Sequence, residues 1–165
     1  YEHPMPEHKV DAYVRLADEL SVAICSPEVA EGSIYTRAEW IRRRASDMSR
    51  IDVLRGGITG VMKMAAICDA FGMQCELHMS GFGNLQVLGA TSENVCEYYE
   101  IGLLGPGARY HRTPHHLRTP CDVMDAEGYV AVPTGPGLGY DIDWDFIEDH
   151  RVNDAGEGIS PMLPR

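Results

Sequence analysis

The sequence predicts an α/β protein built on parallel strands, and three observations carry that prediction. Short apolar runs alternate with stretches of helical spacing from residue 8 to residue 100. The runs are too short for independent helices, and each is followed by a glycine- or proline-containing loop or a polar break. Strand–helix–strand repeats at this interval require right-handed crossovers, which leave the strands parallel. The unit length fits either a doubly wound sheet or a (β/α) barrel.

Taken in order, residues 8–20 (HKVDAYVRLADEL) place Val10, Tyr13, Val14, Leu16, Ala17 and Leu20 on one helical face. Residues 21–25 (SVAIC) read as a strand. Residues 36–48 begin with Thr36 and carry Glu39 three positions on, a capping-box spacing that predicts a helix. Residues 50–54 (RIDVL) are a second strand, and 56–60 (GGITG) a tight turn. The helix that follows, from Val61, should stop at Gly72, a C-terminal glycine. Residues 74–79 (QCELHM) form a third strand, 84–92 a helix and 95–100 (VCEYYE) a fourth strand. Beyond Glu100 the alternation ends. Residues 105–150 are expected to form a loop, a small strand, a glycine-rich turn and a short helix, and 151–165 a tail.

The chain has 165 residues, enough for one domain with a real core. Its formal charge of -11 excludes the basic stripe that a nucleic-acid groove needs, although a local cation can still admit a small anion. The odd set Cys25, Cys68, Cys75, Cys96 and Cys121 has no CxxC pair and falls mostly in apolar runs. These are expected to be reduced, buried thiols of a cytoplasmic protein. No run reaches membrane-spanning length and no signal peptide is visible, so no membrane partner is expected. The start at YEHPMPEH, without an initiator Met, suggests a chain cut from something longer.

Function is expected where parallel strands end, because their carboxyl ends share one face and ligands bind there. Glu2, Glu28, Asp52, His78 and Glu100 stand at or just past five successive strand ends. Glutamates from neighbouring strands suit a hard divalent cation, Mg²⁺ above all. A histidine beside a carboxylate is a general acid–base pair. Glu31 competes with Glu28 for the metal role. The histidines of HRTPHH (111–116) lie in proline-broken sequence without the helical phase of a zinc site, and read as solvated loop. Trp40, Met62 and Met64 are expected to be packing residues.

The ordered set E-x-P (Glu2-His3-Pro4), the PE loop with Glu28, GGITG (56–60), AFGMQCELH (70–78), EYYE (97–100) and GPGLGYDID (135–143) resembles the mandelate racemase subgroup of the enolase superfamily, most closely its acid-sugar dehydratase-like members. The resemblance covers residues 1 to about 150. It implies the C-terminal half of a (β/α)7β TIM-like barrel in residues 1–104, about strands four to eight, with a C-terminal segment that would pack on a missing capping domain. By the same resemblance Glu2 and Glu28 are metal carboxylates for Mg²⁺, and His78 with Asp52 is the acid–base dyad. Glu100 would hydrogen-bond the substrate carboxylate as it gains enolate character. Asp52 stands one residue nearer the glycine pair than the subgroup aspartate, so the loop after the strand must be shortened to aim it inward. The third metal carboxylate and any second-strand lysine would lie upstream; Lys9 and Lys63 fall on expected helices.

The implied activity is Mg²⁺-dependent removal of the proton α to a carboxylate, as in dehydration of a sugar acid to a 2-keto-3-deoxy acid. The alternatives are a racemase or epimerase of a 2-hydroxy acid, and an inactive half-barrel with an incomplete site. A homo-oligomer is expected of the full-length form.

Overall fold

The computed structural model describes residues 1–29, 33–78, 81, 83–101, 113–120 and 122–152. Contacts divide the chain into two compact units, Tyr1–Leu103 and Leu104–Arg165.

The first unit is a wall of parallel segments laid down in chain order. Glu2 bridges Cys25, and Cys25 bridges Met48, both in parallel. Strand β1 (Met48–Ile51) then pairs in parallel with β2 (Gln74–Leu77), Met48 opposite Gln74 and Ile51 opposite Leu77. Helix α1 (Val10–Glu19) connects the first two segments, and α2 (Ile34–Arg42) leads into β1. Helix α3 (Val53–Ala70) joins β1 to β2, and α4 (Asn84–Ala90) follows β2.

Alternation along the strands decides what each face meets. Ile51 and Leu77 are almost fully buried in a cluster with Val61, Met64 and Cys68 of α3. Arg50 and Glu76, and one step past the strands Asp52 and His78, belong to the other face. A second cluster gathers Tyr13, Ile24, Trp40 and Ala45, with the Tyr13 and Trp40 rings 4.7 Å apart. Trp40 and Met64 are buried and Met62 packs on the core, as their spacing predicted. Cys25, Cys68, Cys75 and Cys96 are free and buried, and Cys121 lies outside the described residues.

Several element boundaries differ from the sequence expectation, each for a local reason. Residues 21–25 form no ladder; Cys25 makes only isolated bridges. Helix α2 starts two residues before Thr36, because Ser33 rather than Thr36 is the cap and its Oγ accepts from the Tyr35 N–H at 3.1 Å. It ends at Arg42, six residues before Met48, where β1 begins. The strand expected over 50–54 is Met48–Ile51, since Asp52 turns the chain by capping α3. GGITG is no separate turn. It lies within α3, interrupted only at Gly57, whose φ of 62° and ψ of 170° break the helical run. Residues 95–100 form no strand; they run beside β2 with one backbone bond, Cys75 N–H to the Val95 carbonyl at 2.7 Å.

In the second unit, the small strand expected near residue 130 is a single antiparallel bridge, Met124 to Val130, around a turn tied by Asp125 Oδ1. The short helix is present as α5 (Trp144–Asp149), capped by Asp143 Oδ1 accepting from the Phe146 N–H at 3.0 Å. No helix among the described residues is long and apolar enough to cross a membrane.

Helix α3 ends where the glycine argument placed its stop. Gly72 has φ 65°, its N–H bonds the Asp69 carbonyl at 3.0 Å, and the Met73 N–H bonds the Cys68 carbonyl at 2.9 Å. This is the paired closure of a Schellman end. A Cβ at Gly72 would meet no atom within 4 Å, so the left-handed backbone alone resists a side chain. Gly72→Ala should cost about 1 kcal/mol in urea unfolding. Gly72→Asn should cost less, because asparagine tolerates this conformation.

Candidate acid–base and metal site

The site forms where the parallel segments end, and the strand register builds half of it. Ile51 faces Leu77, and the His78 N–H donates to the Ile51 carbonyl at 2.8 Å. Asp52 and His78 are therefore the next pair beyond the ladder and share one face. His78 Nδ1 lies 3.4 Å from Asp52 Oδ2 and 3.2 Å from Glu28 Oε1. Asp52 caps α3 directly after β1, with its Oδ2 turned toward His78.

Asp52 is fixed on its other oxygen. Oδ1 accepts from the Leu54 N–H at 2.9 Å and from Asn84 Nδ2 at 3.2 Å. Asn84, buried at the start of α4, also donates to the His78 carbonyl at 2.9 Å and accepts from the Val53 N–H at 3.0 Å. One amide thus ties α3, α4 and the end of β2 together.

Glu28 is the second fixed point, with a side chain only 5% exposed. Its Oε1 faces His78, and its Oε2 lies 2.9 Å from His3 Nε2. Its N–H donates to Glu7 Oε1 at 2.5 Å. Its carbonyl accepts from buried Arg37 at 3.3 Å, and Arg37 also bonds the Pro27 carbonyl. Burial pushes the Arg37 guanidinium below its ordinary pKa, with Glu7 and Glu28 among the charges that oppose the shift.

Glu2 meets the same nitrogen of His3 as Glu28 does, with Oε1 3.3 Å from Nε2 and 3.0 Å from Arg50 Nε. Arg50 also pairs with Glu100. Of the five residues expected at this mouth, Glu28, Asp52 and His78 meet directly. Glu2 joins through His3, and Glu100 joins through Arg50. Glu31 lies outside the described residues, as do His111 and Arg112. Lys63 lies on α3 and Lys9 at the start of α1.

Two groups have ligand atoms close enough to share an ion: Glu2, His3 and Glu28, and Glu28, Asp52 and His78. Two carboxylates, Glu28 and Asp52, are buried here, and the nearest guanidinium to Glu28 in an ion pair is that of Arg55 at 3.8 Å. Buried carboxylates without a full complement of cations suit a hard divalent ion. His78, with a third of its side chain exposed, can still meet a small molecule.

Residues 1–146 match the family described as Enolase C-terminal domain-like. The chain belongs to that family. Arabinonate dehydratase of Saccharolobus solfataricus is 31% identical over 158 residues, covering 92% of this chain and 39% of that protein. D-galactarolactone cycloisomerase of Agrobacterium fabrum is 25% identical over 162 residues, 93% of this chain and 42% of that protein. Among solved structures, D-glucarate dehydratase from Agrobacterium tumefaciens, complexed with magnesium, superposes with a TM-score of 0.86 at 42% identity, over 92% of this chain and 39% of that one. The chain thus spans about two fifths of the length of these relatives. As an enolase C-terminal domain-like chain, its parallel pair and flanking helices are part of a TIM-type α/β barrel.

Sequence reasoning missed His3, Glu7, Arg37, Arg50 and Asn84. Arg50 was accessible, since it stands two residues before Asp52 on the same strand face. The bonds of Glu7 to the Glu28 N–H and of Asn84 to Asp52 carried no local signal, because they span 21 and 32 residues. Asn84→Ala should destabilise the fold by about 1–3 kcal/mol in chemical denaturation, since it strips partners from the buried Asp52 carboxylate and the Val53 N–H.

Proposed function

We propose that this chain carries the acid–base half of an enzyme that removes the proton α to a carboxylate, and that the reaction is dehydration of a sugar acid to a 2-keto-3-deoxy acid. The single observation that carries the reading is the placement of His78 Nδ1 against two buried carboxylates, Asp52 and Glu28, with the ring still partly exposed. The names of arabinonate dehydratase and D-glucarate dehydratase support the substrate class. In this reading residues 1–104 are about strands four to eight of a (β/α)7β barrel, and the C-terminal segment packs on a capping domain.

Glu2 and Glu28 would hold Mg²⁺, the ion named with the D-glucarate dehydratase structure. When bound, the ion would supply positive charge to the substrate carboxylate as the α-carbon becomes enolic.

The chain's own residues do the rest. Asp52 and Glu28 engage Nδ1, which fixes the ring and leaves Nε2 for substrate. Nε2 accepts the α-proton while the C–H electron pair moves toward the carboxylate. The resulting imidazolium gives that proton to the hydroxyl leaving the neighbouring carbon, which departs as water. The enol then tautomerises to the keto acid. Glu100, which pairs with Arg50, would stand beside the substrate carboxylate as charge develops there.

The test is a sugar-acid library with Mg²⁺ and the intact protein, reading keto-acid formation. His78→Asn should lower turnover by about 10²–10⁴-fold while Mg²⁺ binding persists. Unchanged turnover in that variant would remove His78 from the chemistry. Solvent deuterium entering the substrate without keto acid would instead mark epimerisation at the same carbon.

A further inference from the structure

Three thiols meet in the core. Cys68 comes from α3, Cys75 from β2 and Cys96 from the segment that runs beside β2, and none is more than 2% exposed. Two of them stand in register. The Cys75 N–H bonds the Val95 carbonyl at 2.7 Å, and in a parallel ladder such a bond sets a residue opposite the one that follows its acceptor. Cys75 therefore faces Cys96. Their sulfurs are 3.4 Å apart, and Cys96 Sγ also donates to the Cys75 carbonyl at 2.8 Å. Neighbouring strands lie about 4.8 Å apart, inside the roughly 4.4–6.8 Å that a disulfide spans between Cα atoms. Closing this pair needs side-chain rotation and no travel of the backbone.

The two thiols are not equivalent. With the Cys96 proton on a carbonyl, the Cys75 S–H is the one that donates between the sulfurs. That bond from Cys75 holds the Cys96 thiol below its ordinary pKa, against the effect of burial. Cys75 is raised by its bonds to Cys68 and Cys96 and by burial. Cys96 is thus the better nucleophile and Cys75 the thiol that follows it. The segment that carries Cys96 has one backbone bond to β2, so local opening admits a small oxidant without unfolding.

We propose that Cys75 and Cys96 are a redox-modification site, where a peroxide joins them in a disulfide that ties the segment carrying Glu100 to the strand leading to His78. The Cys96 thiolate attacks one oxygen of hydrogen peroxide, the O–O bond breaks, and the departing hydroxide leaves as water with the Cys96 proton. Cys96 is then a sulfenic acid. The Cys75 sulfur attacks the Cys96 sulfur, the S–O bond breaks, and the hydroxyl leaves as a second water with the Cys75 proton. The two thiols have given two electrons and two protons to one peroxide. Cys68 competes for Cys75, but it approaches from a helix and not from the opposite position of a ladder.

The experiment is peptide mapping by mass spectrometry, without reduction, of the intact folded protein after hydrogen peroxide and alkylation. A Cys75–Cys96 cross-link, lighter by two hydrogens, should form in the wild type and in Cys68→Ser and revert with dithiothreitol. In Cys75→Ser, dimedone should trap a sulfenic acid on Cys96, because the second thiol is gone. The oxidised wild type should unfold at higher urea than the reduced form, since the bond closes a loop in the unfolded chain. Both thiols still open to alkylation after peroxide would overturn the proposal. So would a cross-link from Cys75 to Cys68, one that forms only in urea, or one that lowers the urea midpoint. These readouts are mass and stability, so the outcome is independent of the dehydration reading, which turnover tests.

Discussion

The site depends on burying one carboxylate, that of Glu28, between two imidazoles. His78 approaches one oxygen and His3 the other. A buried carboxylate is costly unless hydrogen bonds or cations meet it. Here the surroundings fix where those partners stand. The Glu28 N–H is held by Glu7, its carbonyl by Arg37, and Arg37 is itself a buried residue of α2. The carboxylate thus cannot swing out to solvent without disturbing buried groups on two helical connections.

That constraint divides the pocket. On the Oε1 side are Asp52 and His78, the pair proposed to handle protons. On the Oε2 side are His3 and Glu2, donors suited to a cation. Arg50 holds Glu2 and Glu100 below them, and Asn84 holds Asp52 in place. None of these side chains comes from a long stretch of local sequence. Parallel topology assembles them, because successive strands end side by side and alternation turns every second residue to the same face.

Much of this was legible in the sequence, for a definite reason. Alternating apolar runs and helical spacing report burial, and burial is what the fold must achieve, so α1, α3, α4 and the β1–β2 pair were visible. Glu28, Asp52 and His78 were visible because the strand ends locate the ligand face. The finer geometry was not. Ser33 took the cap from Thr36, and Asp52 turned from strand residue to helix cap, because side-chain hydrogen bonds choose among near-equal local options. The 95–100 segment looked like a strand by composition, yet makes only one backbone bond to β2. His3 and Glu7 pair with each other four residues apart, but their contacts to Glu28, like the contact of Asn84 to Asp52, span more than twenty residues and carry no spacing signal.

The shared Glu28 carboxylate is the claim on which the rest of the proposed chemistry stands. The most direct measurement is an anomalous-difference map from crystals of the intact protein soaked in Mn²⁺. The account predicts one peak at ligand distance from Glu28 Oε2, shared with Glu2, and none beside His78. A peak between Asp52 and His78, or no peak at Glu28, would contradict it.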